Sequence, residues 1–205
     1  MNETTHTPEK SIDSTGAKLG MWLFLFTEIL LFGGMFLLYA VYRDVHSSDF
    51  HEAAKEMSLA FGAVNTVILL TSSLTMALSI SAIKNSRRTA SMLYQAVTVI
   101  LAAAFLVNKF IEWRDHILHG IYPNSPDLLA MSHGKILYFG LYYVMTGIHG
   151  LHVIIGAAII CGTLILTRQG RITSTDYIKL ENTGLFWHLI DIIWIYLFPL
   201  FYLIK

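Results

Sequence analysis

Five stretches of this chain run for 20 residues or more with at most one charge apiece. They are residues 19–42, holding only Glu28; 57–83, 89–108 and 136–167, holding none; and 182–204, holding only Asp191. A hydrocarbon core roughly 30 Å thick takes about 20 apolar residues of helix at about 1.5 Å each, so each stretch is long enough to cross a membrane. Helices are the spanning form that fits, because barrel strands would be about ten residues long with alternating polarity. The expected fold is therefore all-α, a polytopic membrane helix bundle of five transmembrane helices over residues 19–205, behind a cytoplasmic N-terminal segment at 1–18. No repeat is visible, and five spans do not divide into two inverted halves.

Composition supports this. Charged residues make up 14% of the chain and hydrophobic ones 55%, against roughly 25% charged in soluble domains. Fourteen basic and fourteen acidic residues cancel, which leaves no basic field for nucleic acid. The single cysteine, Cys161, excludes a disulfide framework and reads as a small apolar filler. The first eighteen residues are polar and carry no secretory signal pattern.

The loops set the expected orientation. Lys10, Lys18, Lys84, Arg87, Arg88, Arg168, Arg171 and Lys179 lie on the side of the N-terminus; Arg43, Lys55, Lys109, Arg114, Lys135 and Lys205 lie on the other. The tight acid-free loop Lys84-Asn85-Ser86-Arg87-Arg88 decides the matter, since such loops stay inside. The N-terminus is expected in the cytoplasm and the C-terminus outside. Residues 43–56 and the proline-bearing 113–135 read as irregular outer loops.

An acid at a helix centre costs about 2.5–3.5 kcal/mol on insertion scales, so each one asks for a reason. Glu28 and Asp191 are each the tenth residue of their span, about 14 Å from its inner end. His188 sits one turn before Asp191, and His149 one turn before His152. Asn65 lies on the second span, Glu112 beyond the third, and Glu181 just before the fifth. Lys109, next to the outer interface, is expected to snorkel.

Three readings compete for these groups. A metal or haem site is the weakest: the only histidines fourteen residues apart, His119 and His133, are separated by Pro123 and Pro126, and a dinuclear copper site needs a second cysteine. A proton or ion route, including a stand-alone transporter, is stronger. Structural pairing of helix to helix, each bond contributing about 0.6–2 kcal/mol, is the simplest. Trp187 and Trp194 read as packing residues, and Gly147, Gly150 and Gly156 as points of close helix contact.

The ordered motifs carry a resemblance. Thr146-Gly147-Ile148-His149-Gly150-Leu151-His152-Val153-Ile154-Ile155-Gly156 resembles the TG-F-HGLHV-IG segment of subunit III of the haem-copper terminal oxidases. In the same order, Thr27-Glu28 with Phe32 resembles its SE-x-x-x-F segment, Asn65-Thr66 with Leu69-Leu70-Thr71-Ser72-Ser73 its NT-x-x-LL-x-SS segment, and Glu112 an acid ending the following helix. Glu181 followed by Trp187-His188-Leu189-Ile190-Asp191-Ile192-Ile193-Trp194 resembles E-x6-WHFVDVVW. These matches touch every span.

The resemblance implies a core subunit of a respiratory complex that reduces dioxygen to water and pumps protons, in a bacterial plasma membrane. It implies that this subunit holds no catalytic residue, haem or copper, these belonging to partner subunits I and II. It further implies packing against subunit I, association with phospholipid, and support of proton uptake and durability. The electron donor, cytochrome c or a quinol, binds mainly elsewhere, and a paralogue accompanying nitric oxide reductase is a related alternative. By this resemblance the chain is expected to take the five-helix bacterial form, which dispenses with the two extra N-terminal helices of longer relatives. Contact with subunit I is expected through the first two spans, and Glu28 is expected to face a partner among His149, His152 and His188.

Overall fold

A computed structural model describes the backbone of residues 8–204 and the side chains of residues 15–204. The elements in chain order are α1 (Pro8–Val45), α2 (Ser47–Lys55), α3 (Leu59–Lys84), α4 (Arg88–Leu118), α5 (Pro126–Leu129), α6 (His133–Arg168) and α7 (Ile178–Tyr202). Five of them, α1, α3, α4, α6 and α7, are long and apolar enough to cross a membrane. The helices α3, α4, α6 and α7 close a four-membered ring, and α1 lies outside it against α6 and α7. Consequently α1 exposes a broad apolar face, including Leu19, Trp22, Leu23, Phe26, Leu30 and Leu37. Such a face would be a liability in water and is ordinary against lipid or another membrane subunit.

The helices extend past the expected spans at several ends. α1 starts at Pro8, inside the segment expected to precede the first span. α4 continues to Leu118, and α6 begins at His133. Glycines stop both: Gly120 (φ 74°) and Gly170 (φ 76°) take the left-handed conformation that closes the last turn. The amide of Ile121 then donates to the carbonyl of His116, and that of Arg171 to Leu166.

Residues 43–56, expected as a loop, contain the helix α2. Phe50, Ala53 and Ala54 stand at i, i+3 and i+4, a one-sided apolar stripe that buries completely against the bundle. Nine residues with polar flanks give too short a pattern to stand out. Asp49 on α2 accepts a hydrogen bond from the Gly134 amide at the start of α6, 3.1 Å away, and so occupies one of that helix's unpaired N-terminal donors. Within 113–135, Ser125 caps the one-turn helix α5 by accepting from the Leu128 amide at 3.1 Å.

At the same end of the bundle, the last turn of α7 carries Pro199. Tyrosines from two neighbours satisfy its terminal carbonyls: Tyr39 of α1 donates to Leu200, and Tyr138 of α6 donates to Phe201 at 2.6 Å. The opposite end carries Lys84, Arg87 and Arg88. There the Arg88 guanidinium donates to the carbonyl of Arg168, fastening the α3–α4 turn to the end of α6.

Candidate functional site

Four assemblies gather many of the polar groups along the bundle. At the α2 end, α4 sends Lys109 and Glu112 inward from one face. The Lys109 Nζ lies 3.1 Å from Glu112 Oε2, 2.9 Å from the Tyr142 hydroxyl and 2.7 Å from the Tyr202 hydroxyl. Both hydroxyls donate to Glu112 Oε1, at 2.9 Å and 2.6 Å. The ammonium also lies over the Tyr142 ring, 4.6 Å from its centroid. Lys109 was expected to snorkel; instead it is only 5% exposed. An acid one turn away and two phenols supply the partners it would otherwise seek in the interface. Uniting α4, α6 and α7, this is the most densely bonded charge pair in the bundle.

Glu28 meets one of its three expected partners. His152 Nε2 of α6 lies 2.9 Å from Glu28 Oε2 of α1, each side chain slightly exposed at the bundle surface. His152 Nδ1 lies 2.8 Å from the carbonyl of Ile148, which can only accept, so that nitrogen carries a hydrogen. One proton therefore sits between Oε2 and Nε2, on the acid or on the imidazole. Phe32 and Phe186 flank the ring at 5.4 and 6.3 Å.

The third assembly zips α3 to α7. Trp187 Nε1 donates to Ser72 Oγ at 3.1 Å, and Trp194 Nε1 to Thr66 Oγ1 at 3.0 Å. His188 Nδ1 lies 2.7 Å from Ser73 Oγ, so it pairs with α3 and not with Asp191 on its own helix. Asp191 is buried with the Ser73 hydroxyl as its polar neighbour, and neither carboxyl oxygen makes a hydrogen bond of good geometry among the described residues. Asn65 accepts from the Asn108 amide at 2.7 Å, linking α3 to α4. His149 lies wholly inside, both nitrogens without hydrogen bonds among the described residues, edge-on to Phe105 and tilted against Trp194. It fills space among rings.

At the basic end, Glu181 bridges Lys18 of α1 at 3.1 Å and Lys84 of α3 at 2.8 Å, tying three helices at their mouths. Nearby, Gln95 of α4 donates to Thr167 of α6 at 3.3 Å and accepts from Thr163 at 3.2 Å. Cys161, read as an apolar filler, is exposed on the bundle surface.

The eight candidate residues thus disperse over the length of the bundle and do not converge on one centre. Lys109, Tyr142, Tyr202, Asn108 and Ser73 were missed as partners. The i, i+3 spacing of Lys109 and Glu112 was the available signal for the first of them. Among the described residues no group of three or more His, Cys, Asp or Glu side chains is placed to hold a metal ion.

Comparison with known proteins agrees with the motifs. The chain is 32% identical over 206 residues to cytochrome c oxidase subunit 3 of Synechocystis sp., covering 98% of this chain and 83% of that one. It is 30% identical over 206 residues to cytochrome bo(3) ubiquinol oxidase subunit 3 of Pseudomonas aeruginosa, covering 98% and 92%. It is also 27% identical over 196 residues to a haem-copper oxidase subunit I+III of Aeropyrum pernix, covering 90% of this chain and 22% of that one. The family model for cytochrome c oxidase subunit III matches residues 1–205, and the chain belongs to that family.

Proposed function

We propose that this chain acts as the non-catalytic core subunit III of a proton-pumping haem-copper oxidase and that it packs against subunit I. One observation carries the choice of partner: the Aeropyrum pernix relative bears subunits I and III in a single chain, as its name states. Geometry supports the non-catalytic role. Many of the polar groups in the spans join two helices, and the charged ones sit in separate assemblies among the described residues.

In this reading the haems and copper reside in subunits I and II, and the complex sits in a bacterial plasma membrane with this N-terminus in the cytoplasm. The Glu28–His152 pair, holding one movable proton at the bundle surface, is the group suited to support proton uptake. Phospholipid has an apolar trough between α4 and α6, about 510 Å³, lined by Leu106, Val107, Phe110, Gly150, Leu151 and Ile154. Cytochrome c is the preferred donor. A quinol is the second reading, favoured by the ubiquinol-oxidase name of the Pseudomonas aeruginosa relative.

The test is purification of the tagged chain from native membranes in mild detergent, with the companions identified by mass and haem spectrum. A haem-bearing subunit I should accompany it, and a subunit II with two copper-binding cysteines would mark the cytochrome c form. Recovery of the chain alone, with ion flux in vesicles, would replace this reading with a transporter.

A further inference from the structure

The seam between α1 and α7 is closed towards its ends and open between them. Near the basic end Phe24 packs on Phe186 with ring centroids 5.7 Å apart, and near the α2 end Tyr39 packs on Phe201 at 5.2 Å. Between these contacts lies a groove of about 360 Å³, lined by Ile29, Phe32, Gly33, Phe36, Ile192 and Tyr196. A second recess, of about 680 Å³, is notched into α1 itself and shares Ile29, Gly33 and Phe36 with the groove. β-Carbons added at Gly33 and Gly34 would meet nothing within 4 Å, so the chain's own side chains leave this space open. From Ile29 to Phe36 α1 rises about 10 Å, which makes the groove about 6 Å across, against roughly 10–12 Å for a helix with its side chains. Two narrow apolar channels that meet at Gly33 suit two hydrocarbon chains better than a helix.

The channels lead to charge. One turn beyond Phe36 on α1 and Tyr196 on α7, a further recess of about 360 Å³ is lined by Tyr39, Ala40, Arg43, Asp44, Ser47 and Leu200. Ala40 and Leu200 continue the two helix stripes at a step of four, so all three spaces follow one seam. Arg43 and Asp44 are exposed there, and neither has an ion-pair partner among the described residues. Tyr196, 59% exposed and about 9 Å from the end of α7, lies at the depth where tyrosines meet the headgroup region. A phosphate offers the Arg43 fork the paired oxygens that suit it. Asp44, one residue on, calls for a cation beside that phosphate.

We propose that the α1/α7 seam binds one zwitterionic phospholipid with a primary amine, of the phosphatidylethanolamine class, in the leaflet on the α2 side. Its phosphate accepts from the Arg43 guanidinium, its ammonium donates to the Asp44 carboxylate, and the Tyr196 hydroxyl donates to an ester carbonyl. One acyl chain lies in the groove between the helices and the other in the notch at Gly33 and Gly34. The bound molecule fills the open middle of the seam and so helps to hold α1, which lies outside the four-helix ring. A glycerol headgroup brings no positive charge to Asp44, and a choline headgroup has no N–H to donate to it. This rests on the phospholipid association proposed above and gives it a headgroup, at a face separate from the α4/α6 trough.

The experiment exposes the native complex to a phosphatidylethanolamine that carries a photo-activated diazirine near the end of one acyl chain. Illumination should label peptides that hold residues 29–36 of α1 or 189–196 of α7. Unlabelled phosphatidylethanolamine should displace that label about two- to fivefold better than phosphatidylcholine or phosphatidylglycerol with the same acyl chains. Asp44→Asn should abolish the preference, and Arg43→Gln should lower labelling about two- to fivefold. Equal displacement by the three lipids, or a preference that survives Asp44→Asn, overturns the headgroup site. Labelling confined to the α4/α6 trough overturns it too, as does capture of a protein by a photo-activated residue placed at position 33. The label is read on this chain, so a preparation that shows it without a haem-bearing subunit would refute the oxidase reading and uphold the lipid site.

Discussion

Lys109 and Glu112 stand one turn apart on α4 with Nζ and Oε2 separated by 3.1 Å, their side chains 7% and 2% exposed. Each charge exists inside the bundle only because the other is there. Removing one partner strands the other, which is far worse than removing both. Lys109→Met should therefore lower stability by about 3–5 kcal/mol. Lys109→Met combined with Glu112→Gln should recover most of that loss, since the amide oxygen still accepts from Tyr142 and Tyr202. Thermal unfolding of the purified complex reads both; equal losses in the single and double variants would contradict this account of the pair.

Two glycines of the same motif on α6 should behave oppositely. A β-carbon at Gly156 would lie 2.8 Å from the Trp187 ring, whereas one at Gly150 would meet nothing within 4 Å. Overpacking of this kind costs about 1–3 kcal/mol, so Gly156→Ala should destabilise by that amount and Gly150→Ala hardly at all. The same unfolding measurement checks the pair.

For Glu28, the bonded hydrogen on His152 Nδ1 leaves Nε2 ready to accept from an amide. Glu28→Gln should keep the α1–α6 link and normal assembly, while Glu28→Leu should weaken assembly by about 0.6–2 kcal/mol. Slower proton uptake by a fully assembled Glu28→Gln complex would identify the shared proton as functional. Equal assembly defects in both variants would mean that the hydrogen bond does not hold α1 in place.

The number of spans was legible because long uncharged runs answer to one physical requirement, the thickness of the bilayer. α2 was not, because its burial is decided by Phe50 reaching Tyr39 and Tyr138 across the fold, contacts without a local signature. The same limit governs the polar groups. Depth along a helix can be counted from the sequence, which put Glu28 level with His152. Rotation about the helix axis cannot be counted when apolar residues surround every face. Hence His188 could be paired on paper with Asp191, one turn away, although its ring turns to Ser73. Lys109 was misjudged for a different reason. Its phenolic partners Tyr142 and Tyr202 come from other helices, and a lysine near an interface has snorkelling as an easy alternative.

The expected orientation rests on the loop between α3 and α4, whose sequence carries Lys84, Arg87 and Arg88 and no acid of its own. A phosphatase that matures only outside the cytoplasm, fused after residue 205, should be active; fused at residue 86, it should be inactive. Replacing Lys84, Arg87 and Arg88 with uncharged residues should weaken the bias. Activity at residue 86 in the unsubstituted protein would invert the topology.

The central claim, that this subunit supports an oxidase whose chemistry lies elsewhere, is tested most directly by stripping the chain from the purified complex and following the remainder through repeated turnover. Haem and copper per subunit I should stay unchanged, and the first turnovers should still reduce dioxygen. Proton uptake should slow and activity should decay sooner than in the intact complex. Loss of a haem or a metal ion in step with the chain would contradict the account.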